Sequence, residues 1–225
     1  MKENLRANFT DRQTKMLFIN EVFYSIQGES SFAGYPCKFI RLAGCNLKCS
    51  YCDTEEALTT ENSKKFNISE IISILRTMGG KIRLTEVTGG EPLLQEAVYD
   101  LFDELIKLNY VILLETNGTL DIRNVPREII KIVDIKCPSS GFSHKNNYKN
   151  LDYITAIDEL KFVIGTDEDY EFAKDFLKTG DLRTKKIIFS AVEAVMSSTD
   201  LALKILKDEL NVRLGIQLHK VLRLK

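Results

Sequence analysis

The chain has 225 residues, 44% hydrophobic and 28% charged, enough for one sizeable domain whose core holds without disulfide staples. Its 31 Lys and Arg against 32 Asp and Glu leave a net charge of -1, which excludes a chain-wide attraction to nucleic acid or to an anionic membrane. No apolar run approaches the ~18 residues that span a bilayer, and the first residues lack the apolar stretch of a signal peptide, so a cytoplasmic protein is expected.

In chain order, residues 1–15 read as a polar N-terminal extension and 16–225 as a single domain. Short β-branched runs predict strands over 17–24, 38–42, 82–88, 111–115, 132–136, 159–164, 186–189 and 213–218. Apolar spacing predicts helices over 68–78, 94–108, 125–130, 167–177 and 197–209. The first opens on Asn67-Ile68-Ser69-Glu70, a polar cap with Glu three residues on. In the last, Leu201, Ile205, Leu206 and Leu210 recur as a packing face. Repeated strand-then-helix units imply an α/β fold with a parallel sheet and outer helices, as an open sheet or as a full or partial barrel. Active sites of such folds form at the C-terminal ends of the strands. That edge carries Thr88, Gly89, Gly90 and Glu91, then Glu115 and Asn117, Asp134 and Lys136, Ser190, and finally Gln217 and His219.

Five cysteines in a reducing compartment point to metal binding or catalysis rather than to disulfides. Cys45, Cys49 and Cys52 stand at offsets of zero, four and seven, and on a coil or helical turn such thiols converge. Structural zinc takes four ligands, usually from two separated pairs, and no second pair is present. A [4Fe-4S] cluster usually takes four thiolates, so three leave one iron open to a substrate or cofactor. Zinc completed by Cys37 or His144 remains the alternative, and buried thiols are the plain expectation for Cys37 and Cys137.

This CxxxCxxC spacing resembles the signature of radical S-adenosylmethionine (radical SAM) enzymes, and Thr88-Gly89-Gly90-Glu91-Pro92 resembles their GGEP element. The resemblance implies an incomplete TIM-like barrel and a [4Fe-4S] cluster on Cys45, Cys49 and Cys52. The unique iron would chelate the methionine end of SAM, whose reductive cleavage gives a 5'-deoxyadenosyl radical. SAM contacts are then implied for Tyr51, Asp53, Gly89, Gly90, Glu91, Glu115, Asn117, Asp134, Lys136, Ser190 and Glu193. Two adjacent glycines permit positive φ and expose backbone groups to a ligand. A tight strand-to-helix turn with Pro92 at the helix start explains them equally, and a turn or capping role serves for Glu115 and Asn117.

Phe23-Tyr24-Ser25-Ile26-Gln27-Gly28-Glu29, Gly34-Tyr35-Pro36, the run from Phe39 to Cys45, and Cys52-Asp53-Thr54 look like the N-terminal block of the 7-carboxy-7-deazaguanine synthase family. Gln217-Leu218-His219-Lys220 matches that family's QxHK tail. The resemblance extends from about residue 17 to the end of the chain. It implies ring contraction of 6-carboxy-5,6,7,8-tetrahydropterin to 7-carboxy-7-deazaguanine with loss of ammonia, a step toward queuosine and related deazapurines. Ile26, Gln27, Gly28, Glu29, Arg41, Thr88, Gln217, His219 and the terminal carboxylate of Lys225 would meet the pterin, and Thr54 would ligate a Mg²⁺ that also binds it. A homodimer and a flavodoxin or ferredoxin electron donor are implied as well. Ser30 departs from the pattern, standing where the family often has glycine.

Taken one at a time, these residues have plainer readings. Gln27 and Glu29 serve as turn residues, Arg41 points to solvent, and Asp53 with Thr54 caps a helix. His219 becomes a core histidine sharing one strand face with Gln217. Lys161 is a solvated strand-end lysine, or a proton shuttle. Two rival functions are an enzyme that generates a glycyl radical on a protein partner and a noncatalytic zinc or electron-transfer module. The first gives no reason for the Gln27 to Glu29 block or the Gln217/His219 tail.

Overall fold

The computed structural model describes residues 15–178 and 182–225, so all of the predicted N-terminal extension except Lys15 lies outside the described residues. Nine strands form one sheet in the order β3-β1-β2-β4-β5-β6-β7-β8-β9. β1 (Met16–Ile26) pairs antiparallel with β2 (Pro36–Leu42) and with β3 (Lys64–Asn67). From β2 onward every pairing is parallel, through β4 (Leu84–Gly89), β5 (Val111–Thr116), β6 (Ile130–Ile135), β7 (Glu159–Ile164), β8 (Ile187–Ala191) and β9 (Arg213–Gly215). Edge strands β3 and β9 do not pair with each other, which makes the sheet the open, partial barrel expected.

Period-two alternation divides the sheet's two faces. Val87 of β4, Val133 and Ile135 of β6, and Leu160, Phe162 and Ile164 of β7 enter the hydrophobic core. Their neighbours Glu86, Thr88, Asp134 and Lys161 line a cavity on the other face. Each fully buried Leu, Ile or Phe on the core side contributes about 1.5–3 kcal/mol, while the inner face is left polar.

Helices α1 (Ile68–Thr77), α2 (Val98–Lys107), α3 (Asp167–Phe176) and α4 (Ser198–Lys207) follow the predicted ones closely, and a short α5 (Leu218–Leu222) ends the chain. Asn67 and Glu70 form the reciprocal cap read from their spacing: the Asn67 side chain accepts from Glu70 N–H at 2.9 Å, and Glu70 accepts from Asn67 N–H at 2.8 Å. At the other end of α1 the buried Lys38 ammonium donates to the Leu75 carbonyl at 2.8 Å, satisfying a terminal acceptor.

The structure differs from the sequence expectations at five points. The helix predicted from residue 94 starts at Val98, because Gln95 is extended and its side-chain amide bridges Phe18 N–H, Phe18 C=O and Ala43 C=O. Residues 125–130 form turns leading into β6; Val125 precedes Pro126, which disfavours helical backbone there. β3 had no apolar alternation to announce it, being an edge strand of sequence Lys-Lys-Phe-Asn protected by its charges. The last strand stops at Gly215, so Gln217 and His219 do not share a strand face: Gln217 precedes α5 and His219 lies within it. In α4, Leu201 and Ile205 are buried as expected and Leu210 is partly buried, but Leu206 faces solvent.

Candidate active site

A cavity of about 800 Å³ opens at the C-terminal ends of the parallel strands, walled by the segment after β2 and by the C-terminal tail. The segment after β2 is closed at its base by Gly44 N–H donating to Ala57 C=O at 2.8 Å and by Cys45 N–H donating to Leu58 C=O at 3.1 Å. Between these ends Leu47 is buried, and Asn46 and Ser50 anchor the loop, donating to Thr119 Oγ1 at 2.8 Å and to Ser139 C=O at 2.7 Å. Cys45, Cys49 and Cys52 are half-buried free thiols on the cavity wall. Asn117 Nδ2 donates to Asn46 Oδ1 at 2.9 Å and approaches Cys45 Sγ at 3.8 Å.

Among the described residues, no three His, Cys, Asp or Glu side chains surround the position of a single metal ion. Structural zinc takes four protein ligands, whereas three thiols on one cavity supply the protein ligands of a cubane cluster with one iron left for another ligand. Neither proposed fourth zinc ligand lines the cavity. Cys37 is buried in β2, its thiol pushed up chiefly by burial, and His144 is exposed and stacked on Phe142. Burial also pushes up the thiols of Cys45 and Cys49, and the Lys136 ammonium pulls both back toward the thiolate.

Along the wall formed by the β4, β5, β6 and β8 ends lie Gly89, Gly90, Glu115, Asn117, Asp134, Lys136, Ser190 and Glu193, with Tyr51 and Asp53 from the cysteine loop. Gly89 has φ +145°, and a β-carbon there would stand 2.1 Å from Leu42 C=O. At Gly90 it would stand 2.3 Å from Gly44 C=O. The two glycines let β4 close against the strand that leads into the cysteine loop. Among the described residues, Tyr51 OH and Asp134 Oδ1 are buried without a hydrogen-bond partner, while Asp134 Oδ2 accepts from Lys136 Nζ at 2.8 Å. Buried polar atoms rarely go unpaired, so this wall fits a polar ligand such as SAM.

Glu91 corrects a sequence expectation. It is fully buried and does not line the cavity; its carboxylate accepts from Thr116 Oγ1 at 2.9 Å, Asn117 N–H at 2.7 Å and Leu93 N–H at 3.1 Å. It secures the β4 and β5 ends to each other. Glu193 lines the cavity and accepts from the Ser198 hydroxyl at the start of α4.

The same cavity is lined by Ile26, Gln27, Gly28, Glu29, Arg41, Thr54, Thr88, Gln217, His219 and Lys225. Gln217 Nε2 donates to Glu29 Oε1 at 2.8 Å and to Asp53 Oδ2 at 3.1 Å, and Lys220 Nζ reaches the same Asp53 oxygen at 2.8 Å. The tail thus binds both the loop after β1 and the cysteine loop. Burial pushes the Asp53 carboxyl up, but the bonds from Lys220 and Gln217 outweigh it and hold the group below the usual carboxylate range. Ser30 takes φ +60°, the left-handed backbone that favours glycine. Its hydroxyl accepts from Phe32 N–H at 3.1 Å.

Arg41 faces the cavity, with Nε donating to Glu21 Oε1 at 3.0 Å, which corrects the solvent-facing reading. The Lys225 ammonium also pairs with Glu21, and Lys225 lines the cavity. Thr54 makes no side-chain capping bond to the short turn that follows it, and Asp53 is engaged by the tail, so the capping reading fails for both. The Thr54 hydroxyl lines the cavity and donates to Asp53 Oδ1 at 3.2 Å, and a hydroxyl oxygen is of the ligand type that Mg²⁺ takes.

Two cavity residues had no motif to mark them. Lys161 is no solvated lysine: its side chain is 12% exposed, it pairs with Glu29, and it stands 3.5 Å from Glu115 Oε1. Burial pushes its ammonium down, but Glu115 and Glu29 more than offset this, and it stays protonated. Glu86 is buried beneath the loop after β1, and its carboxyl is raised well above the usual range by burial and then by Glu115. In sequence both sit as charged residues inside apolar strand runs, the one available signal.

Residues 39–143 match the family model of the radical SAM superfamily. The chain is 42% identical to the 7-carboxy-7-deazaguanine synthase of Koribacter versatilis, an alignment covering 90% of this chain and 95% of that protein. It is likewise 42% identical to the one from Chlorobaculum tepidum, over 91% and 93% of the two chains. The crystal structure of QueE from Escherichia coli superposes with a TM-score of 0.75 at 25% identity, covering 91% of this chain and 95% of that one.

Proposed function

The chain belongs to the 7-carboxy-7-deazaguanine synthase family of radical SAM enzymes, and from that premise we propose how its own residues divide the work. The reaction is the conversion of 6-carboxy-5,6,7,8-tetrahydropterin to 7-carboxy-7-deazaguanine with release of ammonia. The observation that carries the division of roles is that one cavity is lined by the three thiols, by Tyr51 and Asp134, whose buried polar atoms find no partner among the described residues, by the Gln27 to Glu29 loop, by Arg41 and by the tail.

Cys45, Cys49 and Cys52 would hold the [4Fe-4S] cluster, with SAM against Gly89, Gly90, Asp134, Lys136 and Ser190. When bound, cluster and SAM supply a carbon-centred radical able to take hydrogen from the substrate. Arg41, held by Glu21, presents its remaining N–H groups to the pterin carboxylate. Thr54 contributes one oxygen to Mg²⁺, the substrate supplying others. Gln27, Glu29 and Gln217 orient the ring, and the tail shields the cavity from water and stray hydrogen donors.

The test is anaerobic reconstitution followed by incubation with SAM, reductant, Mg²⁺ and carboxytetrahydropterin. Formation of the deazaguanine acid is expected. SAM cleavage without that product overturns the substrate assignment, and tight zinc binding without a SAM-dependent spectral change overturns the radical chemistry. A homodimer, a flavodoxin or ferredoxin donor and a cytoplasmic location complete the proposal; no helix among the described residues is long and apolar enough to cross a membrane.

A further inference from the structure

We propose that Glu86 is a positioning residue for the pterin-binding loop: from the inner face of β4 it holds the Gln27 amide, and Gln27 in turn fixes the backbone of Glu29. This rests on the functional reading above and adds a residue that no motif marks. Glu86 is 4% exposed and Gln27 3%. The Gln27 amide is used at both ends, with Nε2 donating to Glu86 Oε2 and Oε1 accepting from Glu29 N–H at 3.0 Å. Gln27's own backbone closes the loop, its N–H donating to Tyr35 C=O and its C=O accepting from Gly34 N–H, both at 2.8 Å.

The connection continues to two more elements, since the Glu29 carboxylate pairs with Lys161 of β7 and accepts from Gln217 of the tail. A single side chain on β4 therefore sets the geometry of the loop, the ammonium and the tail together. Cys37 of β2, Glu115 of β5, Glu29 and Lys161 are the titratable groups facing Glu86. With two other carboxylates and one ammonium about it, a neutral Glu86 avoids a surplus of buried negative charge. Removing it leaves the Gln27 Nε2 donor buried without its acceptor, a defect that costs more than the bond itself contributed.

The experiment uses the reconstituted holoenzyme with SAM, Mg²⁺ and carboxytetrahydropterin. Glu86→Ala is expected to raise the pterin KM about tenfold or more, with the SAM KM and iron content within about twofold of the parent. Glu86→Gln, a neutral isostere that still accepts from Gln27, restores the pterin KM to within about threefold. Gln27→Ala reproduces the KM effect, and the double variant is no worse than the poorer single one within about twofold, because both act through one bond. Multiplicative effects in the double variant, a fall in kcat with pterin KM unmoved, or no rescue by Glu86→Gln each overturn the proposal. Should Glu86→Ala fail to fold, Gln27→Ala and Glu86→Gln decide: an unchanged pterin KM in the first or a large loss in the second refutes it. An incorrect substrate assignment shows itself separately, as a parent enzyme that cleaves SAM without making a deazaguanine.

Discussion

The His219 ring lies so close over Gly28 that a β-carbon at position 28 would stand 1.9 Å from Nδ1, and beside it Leu218 N–H donates to Gly28 C=O at 2.9 Å. The loop after β1 and the tail are thus seated on each other without space for a methyl group. Burial pushes the His219 imidazole below its ordinary value, so the neutral ring is the form that packs there.

Gly28→Ala is expected to lift the tail from the loop. The pterin KM rises about tenfold, as for a lost buried contact, and limited trypsin digestion cuts faster at Lys220 and Arg223. An unchanged KM together with unchanged digestion would show that the tail does not close the substrate side.

Glu86 predicts a pH dependence of stability. Its carboxyl is raised by burial and then by Glu115, so the contribution of its protonated form is complete at low pH and is lost as pH rises through the raised value. Glu29, held low by Lys161 against its own burial, behaves oppositely and loses its contribution as pH falls. Thermal unfolding of the parent is expected to lose roughly 2–4 °C on the alkaline side relative to Glu86→Gln. Parallel curves between about pH 6 and about pH 9 would contradict this.

Thr54→Ala tests the magnesium assignment. Because Thr54 makes no capping bond, the substitution leaves iron content and stability nearly unchanged, within about 0.5 kcal/mol, and shifts the Mg²⁺ requirement to higher concentration. Loss of cluster in parallel with loss of activity would give Thr54 a structural role instead.

Removing Cys45, Cys49 or Cys52 singly is expected to bring iron after reconstitution close to background. Cys37→Ala and Cys137→Ala, both of buried thiols outside the cavity, keep the iron and cost about 1 kcal/mol of stability each. Iron lost from either of these two would bring back the four-ligand reading.

Lys161→Met leaves Glu29 and Glu115 facing each other in a partly buried site, a defect of about 1–3 kcal/mol. Denaturant midpoints check it, and adding Glu115→Gln is expected to recover part of the loss.

The cysteine spacing, the GGEP turn and the two terminal blocks were legible because each packs several chemically constrained residues into a short run, and every site residue expected from them except Glu91 lines the cavity. Glu91 misled because a fully buried carboxylate and a ligand-binding one look alike in sequence; only the register between β4 and β5 shows that Thr116 and Asn117 occupy it. Lys161 and Glu86 were hidden for the converse reason. Their partners lie far along the chain, 132 residues away for Glu29 and 59 for Gln27, and local patterns carry no such distances. Alternation in the tail predicts a strand, whereas its contacts to Gly28 and Asp53 are made on a short helical turn.

The outer stitch of the tail, Lys220 to Asp53, has both side chains 52% exposed. Such pairs contribute only about 0–1 kcal/mol and weaken as salt screens them. Rising ionic strength is therefore expected to loosen this outer contact first, leaving the tail moored at Gly28 and Glu29.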